Sequence, residues 1–259
     1  MPRSDRTLKV EAVILRHSDY GEADRLLTLF TREQGKLRAI AKGVRKMQSR
    51  KAGHLEPFTQ VALMLAQGHD LWIVTQAEAI ESFQPLRENL NLIGHAAYVV
   101  ELLDRFTYEE GQNWQLYQLL VETMARLAKE SDPFIPIHYY EMRLLDLLGF
   151  RPLLFECALC GKTIQPEDQY FSAERGGVLC PNCGLQVNLA RPVSMDALKY
   201  MRHFQRSTYS EAKRAAPAKE TREEVEALLN YYLTYLLERS LNSPEFIRQI
   251  QRGSQSTSK

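Results

Sequence analysis

Two C-x-x-C pairs set the strongest limit on what this chain can fold into. Cys157 and Cys160 are followed, after nineteen residues, by Cys180 and Cys183, and the chain has no other cysteine. A two-residue gap lets both sulfurs of a pair reach one ion at about 2.3 Å, and the spacing falls in the range of a four-cysteine zinc site. Gly161 and Gly184 directly follow the second cysteine of each pair, where a tight turn needs a small or left-handed residue. Four unrelated buried thiols, or a redox pair, are the competing readings. Two C-x-x-C-G knuckles at ribbon spacing favour metal over both. Four thiolates close the coordination shell and leave no position for water, so the expected zinc is structural rather than catalytic. Its expected task is to fold residues 151–192, a segment with little core of its own.

The compartment agrees with metal rather than disulfide. Arg3, Asp5, Arg6, Lys9 and Glu11 interrupt the start of the chain, and no stretch approaches the apolar length of a membrane span. A cytoplasmic protein is expected, where disulfides do not persist.

Residues 1–82 read as strands. Apolar residues recur around Val10–Leu15, Leu26–Phe30 and Leu37–Ala41, with Gly35 at a turn. Two further runs, Phe58–Ala66 and Leu71–Ile80, flank a hairpin at Gln67-Gly68-His69-Asp70. Five strands in so short a segment are best served by a closed barrel, which removes the sheet edges, and the five-stranded OB barrel is the common solution. After Pro85 the period changes. Leu92, Ala96, Val99, Leu103 and Phe106 mark one helix, and Trp114, Tyr117, Val121, Met124 and Leu127 a second. A third is capped by Ser131 or Asp132 with Pro133 in its first turn, and closes at Gly149 before Pro152. Beyond the cysteines, Ser194 caps another helix. Thr221 and Glu224 fit a capping box ahead of Val225, Leu228, Leu229 and Tyr232. The polar stretch 205–220 reads as a mobile loop.

The expected organisation is therefore α+β and multidomain. It comprises a barrel over 1–82, a helical domain over 83–150 and 193–252, a zinc ribbon-like insertion over 151–192, and a disordered tail over 253–259. The two helical parts are expected to form one bundle.

Charge is uneven along this frame. Arg32, Lys36, Arg38, Lys42, Arg45, Lys46, Arg50 and Lys51 face only Glu33 within the same window, while the whole chain carries a formal charge of +1. Charge runs are usually solvated loops, but so lopsided a window on a barrel points to phosphate contact. Phe30 and Phe58 are read as core rather than stacking platforms. His17, His54, His69 and His95 are read as isolated surface or satisfied core residues.

Several runs resemble a known family. Gly35-Lys36-Leu37-Arg38-Ala39-Ile40-Ala41-Lys42-Gly43-Val44-Arg45-Lys46, with Ser49-Arg50, Leu55-Glu56-Pro57-Phe58 and the earlier Asp24-Arg25-Leu26-Leu27-Thr28-Leu29-Phe30, is similar to the amino-terminal domain of the bacterial recombination mediators of the RecO family. Tyr140-Glu141-Met142-Arg143-Leu144-Leu145-Asp146-Leu147-Leu148-Gly149-Phe150-Arg151-Pro152, leading into Cys157-Ala158-Leu159-Cys160-Gly161, resembles the approach to that family's zinc unit. The resemblance implies an OB barrel followed by a helical bundle interrupted by a zinc unit. It implies a non-enzymatic DNA repair and recombination protein that binds ssDNA and dsDNA and anneals complementary strands. It also implies partners: RecR, the SSB C-terminal tail, RecA and, in some cases, RecF, at the nucleoid and not at a membrane. Some members lack the cysteines.

Two other functions compete. An enzyme finds little support, since the chain has no G-x-x-x-x-G-K-S/T, no G-x-S-x-G and no clustered acidic and histidine set. A zinc-containing adaptor that binds proteins without touching DNA is the alternative reading.

Overall fold

Alternation of apolar and polar residues closes the first five strands on themselves. In the computed structural model, which describes residues 7–108, 111–237 and 247, these strands are β1 (Thr7–Tyr20), β2 (Asp24–Thr31), β3 (Gly35–Ala41), β4 (Gln60–Gln67) and β5 (Trp72–Glu81). They form a closed OB-like barrel in the order β1-β2-β3-β5-β4. Only the β3–β5 contact that completes the circle is parallel, through Ala39 beside Trp72 and Ile40 beside Ile73. Every second residue points inward: Val10, Ala12 and Ile14 on β1, Leu27 and Leu29 on β2, and Leu37, Ala39 and Ala41 on β3 share one buried core with β4 and Val74.

Strand β1 is longer than its apolar run suggests, because it serves two neighbours. Thr7–Val13 pair with β4, and Ala12–Tyr20 pair with β2. A bulge between Ile14 and Arg16 bends the strand from one partner to the other. Gly35 sits at φ 69, and a Cβ there would run into the Gly111 carbonyl, so the β2–β3 turn requires glycine on two counts. Phe30 and Phe58 are buried, as core residues should be.

The described chain divides into two compact units, one extending to Glu130 and the other starting at Ser131. The first contains the barrel together with α1 (Pro85–Glu88), α2 (Leu90–Phe106) and α3 (Trp114–Lys129). Asn89 caps α2 by accepting from the amides of Asn91 and Leu92, and Asn113 caps α3 through Leu116 N. The second contains α4 (Phe134–Leu147), a small sheet of β6 (Gln169–Ser172), β7 (Gly177–Leu179) and β8 (Arg191–Val193), and α5 (Pro181–Gly184), α6 (Met195–Arg206), α7 (Tyr209–Ala212) and α8 (Lys219–Leu237). Helix α4 packs on α6 and α8. The helical region expected as one bundle is thus divided after α3: periodicity reveals that a helix has an apolar face, not which element covers it.

Helix ends in the second unit follow their local capping residues at α4 and α6, but not at α8. Asp132 accepts from Phe134 N at 3.0 Å, Gly149 closes α4 at φ 82, and Ser194 caps α6 through Ala197 N. The Thr221–Glu224 capping box does not form. Helix α8 already begins at Lys219, and Glu224 instead accepts from Ser194 N and Ser194 Oγ, both at 2.6 Å. The stretch 205–220 is not one loop either. Gln205 is buried and donates to Pro152 O, and Thr208 with Glu211 makes a reciprocal capping box that starts α7. The expected tail 253–259 lies outside the described residues.

Candidate metal centre and nucleic-acid interface

The four cysteines are brought to one point by two turns of different kinds. In the first, Gly161 N donates to Cys157 O at 2.9 Å and Cys157 N donates to Lys162 O at 2.8 Å, closing a knuckle in which Gly161 takes φ 70. In the second, Cys183 N and Gly184 N both donate to Cys180 O, at 3.0 and 2.8 Å, which winds α5. Gly184 is needed there for space rather than for φ. An added Cβ would overlap the Tyr170 ring on β6.

All four Sγ atoms lie within 4.8 Å of one another, and Cys160 Sγ stands 3.9 Å from Cys180 Sγ. A tetrahedral ion with bonds of about 2.3 Å requires sulfurs about 3.8 Å apart. The cluster therefore could hold a metal ion and is compatible with zinc. Its electrostatics point the same way. Burial opposes a charge on Cys157, yet amide donors from Cys160, Cys180 and Leu159 outweigh it and bring the thiol down to about 6. Cys183 is pushed up to about 12, first by its contact with Cys180. Sulfurs this close cannot all ionise without a cation among them.

The eight cations of the basic window separate into two groups. Four are engaged within the protein. Lys36, on β3, is nearly buried and places Nζ 2.8 Å from Asp104 Oδ1 while donating to Asp104 O and Thr107 O at 2.6 and 2.7 Å, so it anchors the end of α2. Lys51 donates to Val74 O at 3.0 Å. Arg32 pairs with Glu11 at 3.3 Å beside the Trp114 ring, and Arg45 pairs with Asp19 at 3.2 Å. The other four, Arg38, Lys42, Lys46 and Arg50, are exposed and make no ion pair among the described residues. Alternation along β3 puts Arg38 on the outer face of the barrel, since Leu37, Ala39 and Ala41 point inward.

The segment after β3 is held from below by groups that sequence reading passed over. Asp24 Oδ1 accepts from Gly43 N at 2.7 Å, and Arg45 N donates to Ala23 O. Val44 and Leu55 plug the barrel core at either end of the segment. Glu56 receives Arg25 at 2.9 Å and stands 3.5 Å from His17, so His17 is not isolated. These partners are nineteen to thirty-nine residues apart, and no local pattern announces them. His54 accepts from Ala79 N, His95 stands 2.7 Å from Asn91 O, and His69 pairs with its neighbour Asp70.

No helix among the described residues is long and apolar enough to cross a membrane. Two family models match in tandem: "Recombination protein O N terminal" over residues 6–83 and "Recombination protein O C terminal" over residues 87–245. Among similar proteins, the DNA repair protein RecO of Roseiflexus sp. is 43% identical over 255 residues, covering 96% of this chain and 89% of that one. The DNA repair protein RecO of Dehalococcoides mccartyi is 37% identical, covering 89% and 91%. That of Bacillus pumilus is 32% identical, covering 94% of each.

Proposed function

The chain belongs to the recombination protein O family, and from that premise we propose that it is a non-enzymatic mediator of DNA repair whose barrel binds the phosphate backbone. The reading is carried by one observation: Arg38, Lys42, Lys46 and Arg50 are exposed without carboxylate partners among the described residues. Such cations are neutralised by a polyanion with release of its counterions. Through them the protein binds ssDNA and dsDNA; the lowered repulsion between two complementary single strands leaves base pairing to complete their annealing. The mechanism needs no bond chemistry. RecR, the SSB C-terminal tail, RecA and RecF are the partners this reading brings with it, and the nucleoid is its place of action. The metal of the four-cysteine site is zinc, held by Cys157, Cys160, Cys180 and Cys183, and its role is to brace the ribbon.

The test is a salt series on the full-length protein with a labelled single-stranded oligonucleotide. Each phosphate neutralised on a single strand contributes about −0.7 to the log–log slope, so four cations contribute about −2.8. Replacing Arg38, Lys42, Lys46 and Arg50 together by Gln should remove that contribution while zinc content and melting temperature hold. An unchanged slope would remove the barrel from DNA binding and favour the adaptor that contacts only proteins.

A further inference from the structure

A second cationic device lies in the other unit, outside every site described so far. Arg202 and Arg206 stand one turn apart on α6, and both guanidinium groups lie over the ring of Phe155, at 4.9 and 3.5 Å from its centroid. Neither makes an ion pair among the described residues. Like charges on one ring should seek a carboxylate between them, and the sequence from 197 to 210 contains no acidic residue at all. The arrangement is fixed on both sides. Arg202 Nε donates to Leu154 O at 2.8 Å, Gln205 donates to Pro152 O at 2.8 Å, and Ile164 N donates to Phe155 O at 3.0 Å. Burial and the neighbouring Arg206 charge hold Arg202 below the usual arginine value, in keeping with a pair that has no anion beside it among the described residues.

A guanidinium stacked by its face on an aromatic ring keeps its N–H donors at the edge, where they reach a planar or tetrahedral oxyanion. Lys199, largely exposed, stands on the same stripe of α6 one turn before Arg202, with its ammonium 3.4 Å from Asp196 Oδ1. From Lys199 to Arg206 the helix rises about 10 Å. A nucleic-acid strand presents several charges over that length, whereas one carboxylate presents a single charge. We propose that Arg202, Arg206 and Phe155 form a second phosphodiester-binding site for a nucleic-acid strand. The site rests on the DNA-binding reading given above and adds a second strand contact, which annealing requires.

Anisotropy titrations of a labelled oligo-dT on the full-length, zinc-loaded protein test it. The double variant R202Q/R206Q should make the salt slope shallower by about 1.4 and weaken binding about 25-fold near 0.1 M salt, the difference closing toward 1 M. R206Q alone, at an exposed side chain, should produce half of that slope change and decides the matter if the double variant folds poorly. R206K should keep most of the slope. Unchanged slope and affinity in R206Q and R202Q/R206Q overturn the site. If the barrel variant still loses its share in that case, the family reading stands without it. If neither set of changes moves the slope, both fall. Loss of affinity for an acidic peptide with DNA binding intact would also overturn the proposal, in favour of a peptide site.

Discussion

Lys36 illustrates how a side chain in a basic run can serve the fold instead of the ligand. Its ammonium meets one carboxylate and two main-chain carbonyls at the last turn of α2, where the helix presents its negative end. Removing the amine would leave those carbonyls without their donor and Asp104 with the more distant, exposed Arg16, 3.5 Å from Oδ2. Lys36→Met should therefore cost about 2–3 kcal/mol, read as a lowered urea midpoint with an unchanged m-value. The salt slope for DNA should stay the same in that variant. Arg38 lies two residues further along β3 on the same face, exposed and without an ion-pair partner among the described residues. Arg38→Gln should do the reverse, leaving stability within about 0.5 kcal/mol while removing about 0.7 from the slope. The two substitutions separate structural from binding cations within one strand.

At the scale of elements, the long segment between β3 and β4 depends on Glu56, which joins Arg25 on β2 and His17 on β1. Burial raises the Glu56 pKa, but the hydrogen bond and charge of Arg25, aided by His17, hold it below the usual carboxylate range. A carboxyl with a depressed folded pKa binds protons more readily in the unfolded chain. Its contribution is complete above the unfolded value near 4.5 and disappears as pH falls through the folded one. Urea midpoints measured from neutral pH to pH 3 should fall below about pH 4.5. In Glu56→Gln the loss should be present already at neutral pH and the acid limb should flatten. The sequence reveals the strands that this network ties together, and not the network. Period-2 alternation suffices for Leu37, Ala39 and Ala41 to point inward, and two C-x-x-C-G motifs suffice to bring four sulfurs to one point. Pairings such as Glu56 with Arg25, or Glu224 with Ser194, join residues about thirty apart. The local Thr221–Glu224 capping box loses to a tertiary contact, because Ser194 offers Glu224 two donors. Likewise, 205–220 looks like a loop because its composition is polar, yet Gln205 is buried against a carbonyl and Glu211 winds its own turn.

For the whole molecule, metal removal should divide the DNA affinity into two parts. Binding of zinc by a four-thiolate site is folding free energy for the segment it closes. The sheet β7-β6-β8 has strands of only three or four residues, too short to persist by themselves. Phe155 precedes Cys157 by two residues, so loss of the first knuckle releases the ring that aligns Arg202 and Arg206. Arg38, Lys42, Lys46 and Arg50 belong to the barrel unit, whose core contains no cysteine. Stripping the metal with a strong chelator, or replacing Cys180 by Ser, should abolish amide protection across β6–β8 and leave it intact in β1–β5. The salt slope should drop from about −4.2 for six cations to about −2.8 for the barrel's four. A protein that keeps the full slope after losing both metal and ribbon protection would show that α6 never touched the strand. One that loses the entire slope would show that the barrel cations never did.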